Sequence, residues 1–482
     1  MNLIERASLA WIDGVTVDND ARFDVVNPAT GETIAEAVDA DAALIDRAIG
    51  AAHRSFPAWS QRPASERAQV LRAWADAIEA RTTEIAELTT TEGGKLFREA
   101  RGEVGAGTAA IRWGANCAEA AGGTELPAPS PTRRHFTARQ PVGVVACITP
   151  WNFPIAAVLV KVGTAVAAGC TVVVKPSEET PLVASLLAQL SAEVGMPPGV
   201  INVVATSTPS RFGDALAVSK AVRAVSFTGS TRVGKLLYEQ CSGTVKRLSL
   251  ELGGNAPFIV FADADIERAA SDAVNARFYN TGQICVGANR FFVHDDVYDE
   301  FAEAFSAKVA ALHVGDVMSE ASDIGPLINR QAKDRVHALL ADATAKGATI
   351  ATGGALPDDD GLFVQPTVLT DATPDMDAYR SEIFGPMAFL YRFSDTVAVI
   401  EMANDTDAGL AAYAYSGDRD LLAQVHTRLD AGVVGLNTTQ VFDSALPFGG
   451  IKESGIGREW GHDCLDEFLD IRSVAFETEG TS

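Results

Sequence analysis

The sequence predicts an α/β fold built on buried parallel sheets. From residue 142 onward, short apolar segments alternate with helical ones, as in "GVVACITP", "FPIAAVLVKVGTAVAAG" and "CTVVVKPS". The alternation begins again after Gly254, with "PFIVFAD" and "RFFVHD". Apolar strands without a polar face, separated by helices, are typical of parallel sheets that helices cover on both sides. Two successive α/β units are therefore expected.

The segments outside these units have different patterns. Before residue 122 the chain is alanine-rich, and "SERAQVLRAWADAIEARTTEIAELTT" has the apolar spacing of a helix, with Ser65 as its predicted N-cap. The proline-rich "TELPAPSPTRRHFTARQPVG" leads into an alternating strand away from the main body. The final "FLDIRSVAFET" is a strand without a local partner, so it is expected to pair with a remote segment or with another subunit.

Length, charge and cysteine usage limit the function classes. The 482 residues are enough for about three lobes. A formal net charge of −24 argues against nucleic acid and anionic membranes as partners. No signal peptide or membrane span is apparent. The six cysteines lack metal-binding spacing, so neither a metal site nor a disulfide framework is expected, and a cytoplasmic protein with reduced thiols is predicted.

Polar residues follow the strands of the first unit, where parallel sheets bind ligands. In "FTGSTRVGK", Ser230 precedes a helix whose N–H groups could hold a phosphate, although the G-x-G-x-x-G fingerprint is absent. Glu178 could accept hydrogen bonds from both hydroxyls of a ribose and would repel a 2′-phosphate, which favours NAD over NADP. Lys175 would tolerate either cofactor, and Arg211 is a second nearby cation. Ordinary turns are the alternative explanation for each.

Three further side chains have the chemistry of covalent aldehyde oxidation. Cys285 lies among small polar residues in "NTGQICVGANR", where a thiolate could be reached by substrate. Glu251 lies in the apolar "LELGGNAP", which should raise its pKa toward that of a general base. The amide of Asn152 in "PWNFP" could donate to an oxyanion. A packed thiol, a paired buried carboxylate and a turn amide are the alternatives, but together the three indicate a thiohemiacetal mechanism.

Six motifs resemble the aldehyde dehydrogenase superfamily in their order and spacing, and the similarity is greatest to its succinate-semialdehyde dehydrogenase branch. They are "TPWNFP", "FTGSTRVGK", "LELGGNAP", "NTGQIC", "EIFGP" and "PFGGIKESGIGRE". The resemblance implies a Rossmann-like cofactor domain (1–122 and 142–253) and an α/β catalytic domain (254–445). A small β oligomerisation element (123–141 and 465–482) implies a homodimer or homotetramer.

The resemblance also implies residue roles in an NAD- or NADP-dependent oxidation. Cys285 matches the nucleophile, Glu251 the base that activates the deacylating water, and Asn152, with the Cys285 N–H, the oxyanion hole. Lys161 and Glu382 match residues that hold the nicotinamide ribose. Other matched cofactor positions are Thr149, Trp151, Lys175, Ser177, Glu178, Gly229, Ser230, Gly253 and Phe384.

Departures from the branch concern the substrate. Succinate-semialdehyde enzymes carry arginines where this chain has Val160 and Tyr279, and a pair of arginines is the natural receptor for a carboxylate. Gly114 replaces a bulky aromatic, which predicts a roomier tunnel, and Asp443 is expected to face that tunnel. Gly287 stands where relatives carry a second cysteine. A neutral aliphatic or aromatic aldehyde is therefore predicted, with succinate semialdehyde or a related semialdehyde as the alternative.

Two other functional classes compete with a hydrolytic aldehyde dehydrogenase. A catalytically silent structural relative would be expected to have lost Cys285 or Glu251. A relative that passes its thioester to coenzyme A or phosphate needs no water-activating base, so Glu251 argues against it.

Overall fold

The structure is a computed structural model that describes residues 3–130, 132–355 and 361–477. The predicted domain ranges also include residues 1–2, 131, 356–360 and 478–482, which lie outside the described part of the chain.

The strands are short, and most of those in the two large sheets are buried. In chain order they are β1 (Ala10–Ile12), β2 (Val15–Val17), β3 (Arg22–Val26), β4 (Thr33–Val38), β5 (Glu125–Leu126), β6 (Arg133–Pro141), β7 (Val144–Ile148), β8 (Thr171–Lys175), β9 (Ile201–Val203), β10 (Val222–Thr228), β11 (Arg247–Glu251), β12 (Ala256–Val260), β13 (Ala288–His294), β14 (Thr349–Thr352), β15 (Thr367–Thr370), β16 (Met387–Phe393), β17 (Ala408–Gly409), β18 (Ala411–Tyr415), β19 (Val433–Leu436), β20 (Ile451–Lys452), β21 (Gly455–Ile456) and β22 (Leu469–Glu477).

The helices mostly connect or cover these strands. They are α1 (Leu3–Ala7), α2 (Ala42–Ser60), α3 (Ala64–Glu79), α4 (Thr82–Gly93), α5 (Phe97–Ala120), α6 (Ala156–Ala168), α7 (Pro181–Glu193), α8 (Pro209–Val218), α9 (Thr231–Ser242), α10 (Ile266–Phe278), α11 (Tyr298–Ala310), α12 (Arg330–Ala345), α13 (Thr396–Asn404) and α14 (Arg419–His426).

Two large sheets confirm the predicted α/β class. The first has the strand order β2-β1-β9-β8-β7-β10-β11-β21, and its central strands from β9 to β11 are parallel. The second has the order β14-β15-β16-β13-β12-β18-β19, with parallel pairing from β15 to β19. The strands β7, β8 and β12 are apolar along nearly their whole length because helices pack on both faces.

The last strand pairs within its own chain. β22 runs antiparallel to β6 from the pair Leu469–Pro141 to the pair Glu477–Arg133, and β5 completes a three-stranded sheet. The remote partner expected for "FLDIRSVAFET" is therefore the strand that follows the proline-rich passage. Ile471 and Phe476 on β22 are 67% and 56% exposed, so this sheet presents apolar side chains to its surroundings.

The N-terminal region differs from the helical prediction. Four strands precede α2, and β1 joins the first sheet antiparallel to β9. A three-residue strand such as β1 has too little alternation to be recognised in sequence. The N-cap of α3 is Pro63 rather than Ser65, which lies inside the helix. Among the described residues, no helix combines the length and hydropathy needed to cross a membrane.

Candidate active site

A cleft of about 690 Å³ contains most of the predicted site residues. Its lining comes from segments that follow parallel strands of the first sheet and from segments that precede strands β12, β13, β16 and β18 of the second sheet. The predicted residues that line it are Trp151, Asn152, Val160, Gly229, Ser230, Glu251, Gly253, Tyr279, Cys285, Glu382 and Phe384.

The strand register explains why distant motifs converge. Thr228 at the end of β10 is the parallel partner of Glu251 at the end of β11. On the other side, Phe227 pairs with Ile148 of β7, and Ile148 pairs with Lys175 of β8. Because parallel strands end at one edge, the segments that follow them emerge side by side.

Cys285 lies in a loop between α10 and β13 that has unusual backbone geometry. Asn280 and Thr281 adopt left-handed conformations, with φ of 49° and 57°. The Asn280 N–H donates to the Glu99 carboxylate at 3.0 Å, and the Thr281 hydroxyl is hydrogen-bonded to the backbone of Gly325. Surrounding contacts therefore hold a turn that the chain would not favour alone, as is common at functional sites.

Cys285 is partly exposed as a residue. Burial raises the pKa of its thiol to about 12, with contributions in the same direction from Glu382 and Glu251, while backbone N–H groups oppose the shift. A thiolate therefore needs an added favourable charge or a base before it can react at neutral pH.

Asn152 is fixed beside the cysteine loop. Its side-chain Nδ2 donates to the Gln283 carbonyl at 2.9 Å, which uses one of its two hydrogens. Asn280 Nδ2 in turn donates to the Asn152 backbone carbonyl at 3.1 Å. The amide proposed from the sequence as an oxyanion donor is thus buried and oriented, and its second N–H has no acceptor among the described residues.

Glu251 is a buried carboxylate without a compensating partner. Within the described part of the chain, neither of its side-chain oxygens has a hydrogen-bond partner. Burial is the main cause that raises the pKa of Glu251 well above its usual value, and the negative charge of Glu459 adds to it; Lys161 and Arg458 act in the opposite direction. The alternative explanation, a buried Glu251 carboxylate held by a partner side chain, is therefore wrong for the described residues.

Glu382 and two aromatic rings form the opposite wall. The Glu382 carboxylate accepts the Gly254 N–H at 3.2 Å, and burial raises its pKa to about 7. A Cβ on Gly253 would lie 2.7 Å from Glu382 Oε2, so a larger residue there would displace this carboxylate. Trp151 packs edge-on against Phe384, with ring centroids 5.5 Å apart.

The phosphate-binding prediction concerns the start of α9. Ser230 is its N-cap, and the Ser230 hydroxyl accepts the Val233 N–H at 3.4 Å. Ser230 and Gly229 line the same cleft as Cys285, so this helix N-terminus and the thiol share one continuous cavity. An elongated dinucleotide with a phosphate and a nicotinamide end fits such an arrangement.

Five predicted cofactor residues do not line the cleft. Four of them, Thr149, Lys175, Ser177 and Glu178, lie at or just after the ends of the neighbouring strands β7 and β8. Lys175 Nζ forms an ion pair with Glu178 at 2.9 Å, and the Glu178 side chain is 40% exposed. Ser177 is buried and its hydroxyl accepts the Glu179 N–H. The buried Thr149 hydroxyl has no hydrogen-bond partner among the described residues.

Lys161 lies behind the lining of the cleft. Its ammonium is fully buried, forms an ion pair with Glu459 and donates to the Ser226 hydroxyl at 3.1 Å. Consecutive residues on a helix point about 100° apart, so Val160 faces the cleft while Lys161 faces the sheet. Lys161 therefore does not line the cleft directly, and its role in holding a ribose stays a prediction.

Two residues predicted for the substrate pocket, Gly114 and Asp443, do not line the cleft. A Cβ on Gly114 would lie 3.5 Å from the Thr164 Cα, so this glycine serves the contact between α5 and α6 and does not line the cleft. The Asp443 carboxylate accepts the Ala445 N–H at 2.8 Å in an exposed turn. Its neighbour Phe442 is the residue that lines the cleft.

Sequence reasoning missed several cleft residues. Glu459 ends the recognised "PFGGIKESGIGRE" segment but received no role there, although it lines the cleft beside Glu251. Glu103 and Arg335 come from α5 and α12, whose local sequences have no functional signal. Further aromatic lining is supplied by Phe153, Phe442, Phe448 and Trp460. Among the described residues, no three His, Cys, Asp or Glu side chains are placed to hold a metal ion.

Comparison with known proteins agrees with the motifs and the fold. Residues 15–474 match the aldehyde dehydrogenase family. The chain is 42% identical to the NADP+ succinate-semialdehyde dehydrogenase of Escherichia coli K12, over 98% of both chains. It is 43% identical to the 3-sulfolactaldehyde dehydrogenase of Pseudomonas putida, over 96% of both. A crystal structure of betaine aldehyde dehydrogenase from Staphylococcus aureus with NAD+ superimposes with a TM-score of 0.95 at 34% identity, covering 100% of this chain and 97% of that one.

These matches confirm the resemblance inferred from the motifs, including its similarity to succinate-semialdehyde dehydrogenases. NAD and NADP both occur among the similar proteins. This chain belongs to the aldehyde dehydrogenase family and is an NAD- or NADP-dependent oxidoreductase that converts an aldehyde to a carboxylic acid.

Proposed function

We propose that this enzyme prefers a neutral, hydrophobic aldehyde and oxidises it through a thioester on Cys285. The scarcity of unpaired cations along the cleft carries the substrate proposal. Among the described lining residues, Arg335 is the one arginine or lysine, and the nearby Lys95 and Lys161 are already paired with the lining residues Glu103 and Glu459. Arg335 donates to the Phe384 carbonyl at 3.2 Å, at the end of the cleft proposed for the cofactor.

The region around Tyr279 is unfavourable for an anion. Burial, followed by the charges of Glu99 and Glu103, raises the pKa of the Tyr279 hydroxyl. The Phe153 ring lies nearly parallel to that of Tyr279, with centroids 6.4 Å apart. Lys95 Nζ lies 4.0 Å from the Phe153 ring centroid, but it is already paired with Glu103. A carboxylate brought against this wall would therefore lose hydration without gaining an unpaired cation, at a cost of several kcal/mol, whereas an alkyl or aryl group would gain apolar contact.

The proposed chemistry assigns one task to each buried group. The Cys285 thiol gives its proton to solvent and the thiolate adds to the aldehyde carbon. The remaining Asn152 side-chain N–H and the Cys285 backbone N–H stabilise the resulting oxyanion. A bound nicotinamide would supply the hydride acceptor for oxidation of this thiohemiacetal to a thioester. Glu251 then takes a proton from the attacking water, which releases the acid and regenerates the thiol.

The cofactor is proposed to lie between α9 and the thiol. The N-terminus of α9 at Ser230 would hold a phosphate, Glu382 would accept ribose hydroxyls, and Trp151 and Phe384 would flank the nicotinamide end. Gly229, Gly253, Thr149, Lys175, Ser177 and Glu178 complete the proposed contacts. A raised pKa suits the role of Glu382, because a carboxylate poorly solvated in the free enzyme gains from new hydroxyl donors.

Succinate semialdehyde or a related semialdehyde is the second candidate. It is favoured by the names of two relatives, which act on succinate semialdehyde and on 3-sulfolactaldehyde. In this chain, however, Val160 is buried in an apolar helix face, and Tyr279 supplies only a hydroxyl donor. One hydrogen bond to a charged group contributes about 1.5–3 kcal/mol, too little to replace two arginines.

Hexanal or benzaldehyde is expected to have a higher kcat/KM than succinate semialdehyde at saturating NAD. The Tyr279→Arg variant is expected to shift this ratio toward succinate semialdehyde because it adds a cation beside the cleft. The matched Tyr279→Phe variant should leave the ratio nearly unchanged. Steady-state kinetics on the three proteins decide the matter, and a clear wild-type preference for succinate semialdehyde would select the second candidate.

NAD is expected to have a higher kcat/KM than NADP, because the half-exposed Glu178 carboxylate would repel a 2′-phosphate. The preference should be modest, since Lys175 is paired with Glu178, while Arg211 is engaged with Asp39 at 3.1 Å. Glu178→Ser should raise kcat/KM for NADP relative to NAD. Glu179→Ser removes an equal charge from a side chain that bonds Asn329, and it should leave the ratio unchanged. An advantage of NADP in the wild-type enzyme would contradict the role given to Glu178.

The rate of Cys285 alkylation by iodoacetamide is expected to rise about tenfold per pH unit between about pH 6 and pH 9. The pKa of the thiol is raised to about 12, so the reactive thiolate is a minor species that grows with pH throughout this range. Cys285→Ala supplies the background from the other cysteines. A rate that levels off near neutral pH would show that the resting thiol is already ionised.

The proposal also includes the division into domains, the assembly of subunits and the cellular location of the enzyme. Residues 1–122 with 142–253 would bind the cofactor, 254–445 would carry the nucleophile, and 123–141 with 465–482 would join subunits. The exposed apolar side chains of β22 and its free edge support a homodimer or homotetramer. Light scattering of the intact protein would contradict this if it gave a monomer mass. A cytoplasmic location follows from the reduced-thiol composition.

A further inference from the structure

Arg277 is a fully buried arginine that contacts the catalytic loop from behind. It lies in the last turn of α10, two residues before Tyr279. Its guanidinium makes four hydrogen bonds to neutral oxygens, and none of the bonds assigned to it goes to a carboxylate. Burying a guanidinium is costly, and burial lowers the pKa of Arg277 to about 9. The four hydrogen bonds of the Arg277 guanidinium must therefore compensate for its burial, and they define what it holds in place.

One pair of these bonds holds both ends of the segment that carries Cys285. Arg277 Nη2 donates to the Gly282 carbonyl at 2.7 Å, three residues before the cysteine. Arg277 Nη1 donates to the Ala288 carbonyl at 3.2 Å, three residues after it, and to Asn289 Oδ1 at 2.6 Å. The thiol therefore lies at the middle of a seven-residue segment whose two ends are fixed by one rigid, planar group.

The fourth bond reaches the opposite wall of the cleft. Arg277 Nη2 also donates to the Gly385 carbonyl at 2.6 Å, in the loop that presents Glu382 and Phe384. The two loops approach so closely that a Cβ on Gly282 would lie 2.3 Å from the Gly385 carbonyl oxygen. The same nitrogen thus joins the loop of the proposed nucleophile to the loop of the proposed ribose ligand.

We propose that Arg277 is a positioning residue that fixes the Cys285 loop and the Glu382–Phe384 loop relative to each other. This inference rests on the proposed roles of Cys285 and Glu382. Arginine suits the task because its planar fork donates in several fixed directions, whereas a lysine ammonium is a single point of charge on a flexible stem. Loss of the bridge should alter the thiol and the cofactor site together, because a displacement of about 1 Å can lower a rate by about a hundredfold.

The test compares Arg277→Lys and Arg277→Met with matched changes at Arg290. Arg290 is also fully buried and donates to the backbone carbonyls of Asn255, Met402 and Ala403. Both arginines should matter for folding stability, so thermal unfolding alone does not separate them. The separating measurements are the alkylation rate of Cys285 by iodoacetamide, KM for NAD, and kcat with a good aldehyde substrate.

The Arg277 variants are expected to lower kcat by about 10- to 100-fold, to slow Cys285 alkylation and to raise KM for NAD. The Arg290 variants should stay within about twofold of wild type in these three values, even where their unfolding temperatures fall. If Arg277→Met does not fold, Arg277→Lys carries the test, because it keeps a donor and the charge but cannot span both loops.

Two outcomes would overturn the inference. One is a folded Arg277 variant whose alkylation rate and KM for NAD equal those of wild type. The other is an equal loss of all three values in the Arg290 variants, which would indicate a general effect of buried arginines. Failure of the proposed nucleophile is distinguishable, because wild-type activity would then survive alkylation of Cys285.

Discussion

Replacing Cys285 with alanine is expected to lower kcat by more than about a thousandfold, because no other group in the proposed site can form the covalent intermediate. NAD binding should be unchanged. The residues proposed for the cofactor come from the strand ends at Ser230 and Glu178 and from the Glu382 loop, and none of them bonds the thiol. Turnover and equilibrium NAD binding should be measured on the same preparation.

Cys241→Ala is the matched control for this variant. Cys241 is a buried cysteine on α9 that does not line the cleft, so its loss should affect stability more than turnover. Turnover by Cys285→Ala above roughly a thousandth of wild type would refute the proposed nucleophile. Loss of NAD binding in that variant would instead show that the cysteine loop supports the cofactor site directly.

Glu251→Gln is expected to reduce steady-state turnover by about 10²- to 10⁴-fold, the usual contribution of a general base. Hydride transfer should be affected much less, so a burst of reduced cofactor should precede slow turnover. Burial, with the negative charge of Glu459, raises the pKa of the Glu251 carboxyl well above its usual value. Steady-state turnover in wild type should therefore rise with pH as this carboxyl ionises.

Glu92→Gln provides a comparison for this effect. Glu92 is a second buried carboxylate, whose pKa burial raises to about 8, but it accepts the N–H groups of Leu182 and Val183 at the start of α7. Replacing Glu92 should lower folding stability. It should not produce a burst of reduced cofactor that is followed by slower steady-state turnover. Equal loss of the burst and the steady-state rate in Glu251→Gln would mean that Glu251 acts mainly before deacylation.

The sequence predicted those parts of the fold that have a strong local pattern. The helices α6 and α7 and the strands β7 and β8 follow directly from apolar runs of the right length and from the residues that end them. The pairing of β22 with β6 could be expected only as a remote contact, because nothing in either segment specifies its partner. The strands β1 and β2 were missed because three residues show too little alternation to be recognised.

Side-chain direction and buried polar contacts were harder to predict than element type. Gly114 and Lys161 lie on the expected helices, but they face other helices or the sheet rather than the cleft. Arg277 and Arg335 contribute through contacts more than 45 residues away in sequence, at Gly385 and Phe384. Such contacts depend on how loops meet in the folded chain, so a single sequence contains no local signal for them.

Trapping the acyl-enzyme tests the proposed chemistry most directly. The Glu251→Gln variant should be mixed with NAD and benzaldehyde, quenched in acid after the burst, digested and analysed by mass spectrometry. The expected result is a benzoyl group on the peptide that contains Cys285, in an amount that matches the reduced cofactor formed in the burst. A full burst with no acyl group on Cys285, or with the acyl group on another residue, would contradict oxidation through a Cys285 thioester.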